Sequence, residues 1–322
     1  MNNELIANRS EIIFLYDIKN ANPNGDPLDE NKPRIDEETG KNLVTDVRLK
    51  RTIRDYLFNF KNEEIFVKEV RDDQGYIQDA KARANDFLRG KEAKDIEEAK
   101  KLIREEILTT CIDVRMFGAT IPVSFGKSDS SITYTGPVQF TMGVSLHPVK
   151  LQFIKGTGAF ASGPGKTQAT FREEYILPYS LIQFYGIINE NAAKITRLTE
   201  QDVELLMDGI WNGTKNLISR SKAGQVPRLL MQIIYKEHNY HIGDLDSKLK
   251  LVSEKRGEEI RGTEDYTVDV GDFLEIISGH KDEIKEVKYK HDVSLKLSYE
   301  GRIVAINELL SRAGVEAKQI SF

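Results

Sequence analysis

Cysteine is almost absent from this chain, which has a single one, Cys111, among its 322 residues. An internal disulfide is therefore excluded, and so little cysteine fits a reducing compartment. Long apolar runs are absent too: the longest one near the start, Ile12 to Tyr16, falls far short of the ~20 residues that a membrane helix needs. That run is also shorter than the apolar core of a secretion signal, and the residues before it carry no net positive charge. We expect a soluble, cytoplasmic protein that contacts no membrane.

Positive charge is in deficit overall but is unevenly distributed. The formal net charge is −5, which by itself argues against a nucleic-acid partner. However, Val114 to Arg172 contains six Lys or Arg against one acid, and Trp211 to Lys236 contains five against none. Glu237 to Lys290 has the opposite balance, with fourteen acids against nine Lys or Arg. Such segregation is typical of a protein with one anion-binding surface.

The periodicity of apolar residues predicts a small antiparallel sheet with two helices. A β-rich run ends in the turn-forming cluster Asn20 to Pro27. Thr45 is the predicted N-cap of the first helix, and the capping box Thr199-x-x-Asp202 begins a later one. The predicted order is strand (Glu11–Lys19), helix (Thr45 to about Phe60), strand (within Ile132–His147), strand (Tyr175–Ile188), helix (from Thr199) and strand (Leu229–Tyr235). This order is that of the split βαβ, ferredoxin-like (RRM-like) fold of the α+β class.

The segments between and after these elements are less regular. Alternation from Ile132 to His147 favours a strand with one buried face and one uncharged polar face, and Gly136-Pro137 is a candidate break in it. Helical spacing favours one helix from Lys91 to Met116, and a short strand is predicted near Glu64 to Val70. Lys150 to Thr170, rich in glycine, is interpreted as a mobile loop or a long hairpin. The acidic segment from Glu237 and a helix near its end are interpreted as additions to the fold.

Motifs for catalysis or metal binding are weak. Phe160 to Thr167 (FASGPGKT) lacks the first glycine of a phosphate-binding P-loop, and a strand rather than a helix is predicted to follow it. Asp17, Asp26 and Asp29 surround the loop after the first strand, where they form either a Mg²⁺ site or ordinary turn chemistry. We expect no metal and no cofactor, and these carboxylates are the one group that keeps a metal-dependent alternative open.

Basic residues are the stronger candidates for a binding site. Cations lie largely outside the apolar stripe of the first helix, and donors cluster in the glycine-containing loop before the last strand. The two sets are Arg48, Lys50, Arg51 and Arg54 on the helix, and Arg220, Ser221, Lys222 and Gln225 in the loop. A run of charges is most often a solvated surface, but these two sets and the basic segment Val114 to Arg172, three basic segments on one small sheet fold, favour RNA. The aromatic RNP1 motif is absent, so contacts with the RNA backbone are expected rather than base stacking.

Four segments together resemble one known family. They are RSEIIFLYDIKNANPNGDP (Arg9 to Pro27), VTDVRLKRTIRDYL (Val44 to Leu57), DVRMFG (Asp113 to Gly118) and WNGTKNLISRSKAGQVPRLL (Trp211 to Leu230). In sequence and order they resemble the CRISPR-associated backbone subunit of Cascade complexes, the Cas-seven family. The branch that they resemble most is subtype I-B, with I-C close to it. The match extends from about Arg9 to Tyr235.

The resemblance implies a molecule shaped like a right hand. Its parts would be a palm (1–60, 129–147 and 173–236), a fingers insertion (61–128), a thumb hairpin (148–172) and an acidic insertion with a C-terminal helix (237–322). It further implies a non-catalytic RNA-binding subunit that oligomerises as a helical filament along CRISPR guide RNA and presents the guide for pairing with target DNA in antiviral defence. The implied partners are the guide RNA, further copies of the chain, other Cascade subunits and, through guide pairing, the target DNA.

The resemblance also assigns contacts. The cations of the first helix would clamp the RNA backbone, the loop after the first strand would approach it closely, and the loop before the last strand would add a second contact. The assigned set is Asn22, Asn24, Gly25, Thr45, Arg48, Lys50, Arg51, Arg54, Lys166, Arg220, Ser221, Lys222 and Gln225. Relatives in type III complexes cut RNA with an aspartate in a palm loop, so Asp26 marks the alternative of a metal-dependent ribonuclease. The I-B-like motifs favour a subunit that is not an enzyme.

Overall fold

The computed structural model describes the backbone of residues 4–161 and 169–322, and the side chains of residues 4–156 and 173–322. The helices are α1 (Asp46–Lys61), α2 (Ala80–Asp86), α3 (Ile96–Thr110), α4 (Ile112–Phe117), α5 (Glu190–Thr196), α6 (Glu200–Lys215), α7 (Gly271–Gly279) and α8 (Ile306–Ala313). The strands are β1 (Ser10–Ala21), β2 (Gly25–Asp26), β3 (Lys32–Pro33), β4 (Lys41–Val44), β5 (Gly118–Phe125), β6 (Ser128–Thr135), β7 (Val138–Phe140), β8 (Gly143–Pro148), β9 (Gln152–Ala161), β10 (Ala169–Ile188), β11 (Val226–Tyr235), β12 (Lys250–Val252), β13 (Thr267–Asp269), β14 (Ile284–His291), β15 (Leu297–Tyr299), β16 (Arg302–Val304) and β17 (Ala317–Gln319). Within the described residues, no helix has the length and apolar character needed to span a membrane.

β1 is the central strand of a nine-stranded sheet. The strand order is β17-β14-β11-β1-β10-β8-β4, and β7 and β9 pair with β10 outside this path. β1 runs antiparallel to both of its neighbours, so that Phe14 lies opposite Phe184 of β10 and Leu230 of β11. The sequence predicted strands in the positions of β1, β10 and β11. In the structure these three strands are neighbours in the sheet.

One face of this sheet is covered by α1 and α6. Ile12 of β1 is fully buried in the core that these helices form with the sheet. The helices approach each other closely at Gly209 of α6, where a Cβ atom would lie 2.9 Å from the side chain of Ile53 of α1. Both helices begin at the predicted N-caps, because Thr45 and Thr199 each accept a hydrogen bond from the backbone N–H three residues later. These two predictions are confirmed.

The opposite face of the sheet is covered by residues 237–322. β14 and β17 continue the main sheet beyond β11, and β12, β13, β15 and β16 form a second sheet. Ile13 and Leu15 of β1 share one apolar cluster with Phe273 of α7 and Leu310 of α8. The acidity of residues 237–322 suggested an addition to the fold. The structure shows instead that this segment completes the fold. Its apolar residues face the main sheet, whereas its acidic side chains are partly or fully exposed.

The region between α1 and β7 forms a smaller unit with an apolar core of its own. The single helix predicted from Lys91 to Met116 is wrong: the chain forms α3 and α4, which are separated at Cys111, where the backbone is extended. The break occurs because Cys111 pairs with Glu64, and the Ile112 N–H donates to Glu64 O at 3.2 Å. The strand predicted near Glu64 to Val70 is reduced to this one bridge.

The segment predicted as a strand from Ile132 to His147 forms β6, β7 and β8, and the candidate break at Gly136-Pro137 separates β6 from β7. β6 pairs with β5, whereas β7 and β8 pair with β10. The chain changes partner at Gly136, where a Cβ atom would overlap the backbone of Phe117, so only glycine fits. The alternation then changes phase, and Ser145 and His147, both on the predicted polar face, are buried.

β9 and β10 pair as the antiparallel arms of a long hairpin, which was one of the two interpretations of Lys150 to Thr170. The backbone pairing extends from Gln152 and Ile176 to Ala161 and Ala169. The other interpretation was a mobile loop. The tip of the hairpin, residues 162–168, lies outside the described residues, so the expected mobility stays a prediction.

A buried ion pair joins α1 to the smaller unit. The side chain of Asp113 is fully buried and accepts hydrogen bonds from Arg54 Nε (2.9 Å) and from the backbone N–H groups of Phe66 (2.8 Å) and Val67 (3.1 Å). These donors satisfy a carboxylate that would otherwise be buried without partners, which is costly in a protein interior.

We predict that Asp113→Ala lowers the free energy of unfolding by about 3–5 kcal/mol, because it leaves the guanidinium of Arg54 and two backbone N–H groups unpaired in the interior. Chemical denaturation followed by circular dichroism measures the change. The matched control is Asp129→Ala, because the exposed ion pair of Asp129 with Lys81 should contribute at most about 1 kcal/mol. Equal losses in the two variants would contradict this role of Asp113.

Candidate nucleic-acid interface

Two loops and the start of α1 meet where β1 leaves the sheet. The Asn22 N–H donates to Ser221 O, in the loop before β11, at 2.8 Å. Asn24 Oδ1 accepts hydrogen bonds from the N–H (2.9 Å) and the hydroxyl (3.0 Å) of Thr45, the N-cap of α1. The two predicted loops and the predicted start of the helix are therefore connected by hydrogen bonds. We call these residues the strand-end site (residues 22–26, 45–48 and 219–225).

The loop after β1 is held in place by its own side chains. A Cβ atom at Gly25 would overlap the side chain and backbone oxygen of Asn31, so this close approach requires glycine. Asp26 accepts a hydrogen bond from the Leu28 N–H (3.0 Å) and forms an ion pair with Arg34 (2.8 Å). Asp26 thus has the contacts of a turn residue.

Arg48 and Lys222 are near enough in this site for the charge of Arg48 to act on Lys222. No carboxylate of the described residues is within ion-pairing distance of either cation. Arg48 Nη2 donates to Thr52 Oγ1 (3.0 Å), whereas Arg48 Nε is buried and has no partner among the described residues. Lys222 donates to Ser221 Oγ, and Gln225 donates to Lys222 O, each at 3.3 Å. Burial lowers the pKa of Lys222, and the nearby charge of Arg48 lowers it further. Two interacting cations that form no ion pair with the described carboxylates are suited to bind an anion.

A cavity of about 10 Å³ lies beside Arg48 and is lined from β1, α1 and both loops. Its lining includes Tyr16, Pro23 and Thr52, none of which was predicted from the sequence. The signal available for Thr52 was its position one helical turn after Arg48. The N-terminus of α1 adds the positive end of its helix dipole to the site.

Lys50 and Arg54 have structural partners. Lys50 donates to Asp46 Oδ2 (3.0 Å) and Gln139 Oε1 (3.1 Å), and Arg54 forms the buried ion pair that joins α1 to the smaller unit. Both cations also lie over the ring of Phe117, at 5.8 and 5.1 Å from its centre. Their side chains are only 13% and 12% exposed, so little of either cation is available to a ligand.

Arg51 and Arg220 are exposed cations in surface ion pairs. Arg51 pairs with Asp55 (2.7 Å) and Arg220 with Glu174 (3.0 Å), and the two arginine side chains are 56% and 59% exposed. Because such pairs stabilise a protein only weakly, either arginine can exchange its carboxylate for a phosphate. Lys166, the remaining cation of the assigned set, lies outside the described residues.

The carboxylates considered for a Mg²⁺ site have other partners. Asp17 accepts hydrogen bonds from Tyr179 (2.7 Å) and Arg228 (2.9 Å), and Asp29 pairs with a neighbouring lysine (2.6 Å). Across the part of the chain that the structure describes, no group of three or more His, Cys, Asp or Glu side chains could hold a metal ion. The arrangement around Asp26 therefore gives the metal-dependent alternative no support.

Comparison with known proteins connects this arrangement to one family. A sequence profile of the family "CRISPR-associated protein Cas7" matches residues 8–271. The chain is also 34% identical over 334 residues to the CRISPR-associated protein Cas7 of Haloferax volcanii, in a match that covers 97% of this chain and 96% of that relative. The chain belongs to the Cas7 family. The resemblance drawn from the four motifs is thereby confirmed.

A solved structure supports the same fold. A chain of a "CRISPR RNA-guided surveillance complex, pre-nicking" superposes with a TM-score of 0.55 at 13% sequence identity, covering 97% of this chain and 96% of that chain. At this identity the likeness concerns the fold alone, and it confirms the mixed α+β class. The Cas7 profile extends to residue 271, beyond the last recognised motif, so part of the C-terminal region also belongs to the family pattern.

We predict that Arg48→Gln raises the pKa of Lys222 toward the ordinary lysine value, because it removes the like charge that adds to the effect of burial. A side-chain NMR titration of Lys222 measures this pKa. The control is Arg51→Gln, which removes one positive charge from the same helix three residues after Arg48. This control should leave the pKa of Lys222 unchanged. The same pKa in wild type and Arg48→Gln would show that the two cations are not coupled.

Proposed function

We propose that this Cas7 protein is a non-catalytic RNA-binding subunit that oligomerises along CRISPR guide RNA and presents the guide for pairing with target DNA in antiviral defence. The observation that carries the proposal is that the charges of Arg48 and Lys222 interact at the strand-end site, and neither cation forms an ion pair with a carboxylate of the described residues. A phosphodiester would neutralise both cations. Contacts of this kind hold an RNA backbone of any sequence, which leaves the reading of sequence to base pairing.

The contacts of the assigned residues suggest a division of roles. Arg48 and Lys222 bind phosphate directly, together with the polar groups of Asn22, Ser221 and Gln225 beside them. Asn24 and Thr45 orient the loop against α1, and Gly25 allows its close approach. Arg51 and Arg220 exchange surface carboxylates for phosphates. Lys50 and Arg54 hold α1 against its neighbours, and Lys166 would contribute from the thumb.

We further propose that β11, β1, β10 and β8, with α1 and α6, form the ferredoxin-like palm. In support, these strands are antiparallel and lie in the order 4-1-3-2 when numbered along the chain, which is the order of the split βαβ arrangement. The unit within residues 61–128 then corresponds to the fingers, and the β9–β10 hairpin (148–172) corresponds to the thumb. Residues 237–322 cover the back of the palm.

The proposed partners follow from the family. The solved structure with the same fold is part of a complex described as an RNA-guided surveillance complex. We extend this assembly to the present chain, with guide RNA, further copies of the chain and other Cascade subunits as direct partners, and target DNA as a partner through guide pairing. The site of action would be the cytoplasm.

We predict that Arg48→Ala combined with Lys222→Ala weakens binding to single-stranded RNA and makes the log–log salt dependence of affinity shallower by about 1.4, or ~0.7 for each phosphate that is no longer neutralised. Fluorescence anisotropy with a labelled oligouridylate at several salt concentrations measures both quantities. Lys281→Ala removes an exposed charge from the C-terminal region and serves as the control. An unchanged slope in the double variant, or the same loss of affinity in the control, would overturn the assignment of the strand-end site.

We predict that Asp26→Ala leaves RNA intact and lowers the free energy of unfolding by only about 1 kcal/mol, because it removes one turn hydrogen bond and the partly exposed ion pair with Arg34. Labelled RNA is incubated with Mg²⁺ or Mn²⁺ and analysed on a gel for wild type and variant. Cleavage by the wild type that disappears in Asp26→Ala would replace the non-catalytic role with that of a ribonuclease.

A further inference from the structure

The outer edge of the main sheet carries a groove that shares no residue with the strand-end site. It lies between α6 and residues 318–322 and has a volume of about 400 Å³. Its walls are apolar on both sides, with Val203 and Met207 on α6 and Ile320 and Phe322 on the opposite side. Apolar walls around a few polar groups are typical of binding sites.

The floor of the groove is one row of side chains across the sheet. The strand register places Ile12, Gln232, Lys288 and Lys318 opposite one another on β1, β11, β14 and β17. Ile12 is buried in the core beneath α6, whereas the other three line the groove. The row therefore changes from apolar to polar where the sheet extends beyond α6, and it ends in two adjacent lysines.

The adjacent lysines leave a place for an acidic group. Lys288 Nζ is 3.8 Å from Glu286 Oε1, near the limit for an ion pair, and Lys288 also interacts with the charge of Glu200 at the start of α6. No carboxylate of the described residues pairs with Lys318. Like charges directly opposite each other on neighbouring strands are destabilising. Of the acids lining the groove, Asp208 already pairs with a lysine of α1 (2.6 Å), and Glu204 lies on the α6 wall. A carboxylate placed between the two lysines would relieve their repulsion.

A buried amide in the floor lacks a hydrogen-bond donor. Gln232 is 3% exposed, and its Nε2 donates to Ser10 Oγ at 3.0 Å. Its Oε1 is buried and has no partner among the described residues. Buried polar groups in proteins are almost always paired, so an unpaired acceptor beneath the groove is unusual.

The sheet edge beside the groove is also unpaired. β17 is the last strand of its sheet and, within the described part of the chain, is hydrogen-bonded only to β14. Glu316 O and Ile320 N bond to β14, so the two-residue period directs the backbone groups of Ala317 and Gln319 away from the sheet. All residues of β17 are exposed. Such an edge can accept an added strand.

We propose that this groove binds an extended acidic peptide segment of a partner protein. The segment pairs with the backbone of β17, places an apolar side chain between Met207 and Phe322, and places a carboxylate between Lys288 and Lys318. This docking role is independent of RNA binding, because it uses none of the residues of the strand-end site.

The test uses the purified full-length chain and a labelled hexapeptide of alternating glutamate and valine, compared with a hexapeptide of alternating lysine and valine. Fluorescence anisotropy should give at least about tenfold tighter binding of the glutamate peptide. Lys318→Glu reverses one charge of the pair and should weaken that binding about tenfold or more. Gln319→Pro removes an outward N–H donor without removing a bond to β14, and it should weaken binding to a similar degree.

The control is Lys296→Glu, because Lys296 is an exposed lysine beside β15. It should bind the glutamate peptide as the wild type does, and all three variants should keep wild-type affinity for oligouridylate and an unchanged melting temperature. The proposal is overturned if the wild type does not prefer the glutamate peptide, or if either groove variant binds it as the wild type does. Failure of the wild type to bind RNA would instead remove the proposed function and leave the groove result standing.

Discussion

β1 is buried on both of its faces, and this burial determines which segments must pack around it. Every residue from Ser10 to Ile18 is buried, one face against α1 and α6 and the other against residues 237–322. Removal of apolar surface from water is the dominant favourable term in folding, so a strand of this composition requires cover on both sides. Neither face of β1 is then open to RNA. The proposed binding groups lie instead at the end of the strand, where the backbone of the loops leaves the core and becomes accessible.

The two acids within β1 determine how the covering segments attach. Glu11 accepts hydrogen bonds from the N–H groups of Ile242 and Gly243, each at 3.0 Å, and thereby fixes the start of the C-terminal region against the sheet. Asp17 pairs with Arg228 of β11 at 2.9 Å. Because a buried charge is costly unless it is paired, these contacts allow one register and disfavour others. The pair also neutralises a cation close to the strand-end site, and the positive charge that remains there belongs to other residues.

The cations of α1 therefore have different roles, which are set by their surroundings and not by their spacing. Arg54 forms an ion pair with the fully buried carboxylate of Asp113. Lys50 donates hydrogen bonds to Asp46 and to Gln139, which is distant in the sequence. Arg48 instead forms no ion pair with a carboxylate of the described residues, and its charge acts on Lys222. A helix with one apolar stripe can thus use its polar side both to attach a neighbouring unit and to bind an anion.

Local sequence was enough to predict the N-caps at Thr45 and Thr199, the core strands and the family, because capping, periodicity and motif identity depend on residues close together in the chain. The break at Cys111 depends on a tertiary contact, because it follows from the pairing of Cys111 with Glu64. The cover that residues 237–322 give to β1 is also a tertiary effect, since their charge had indicated an addition to the fold. Tertiary contacts likewise determine which cations form no ion pair. Ion-pair partners such as Arg54 and Asp113 are distant in sequence, and local periodicity contains no information about which of them meet in space.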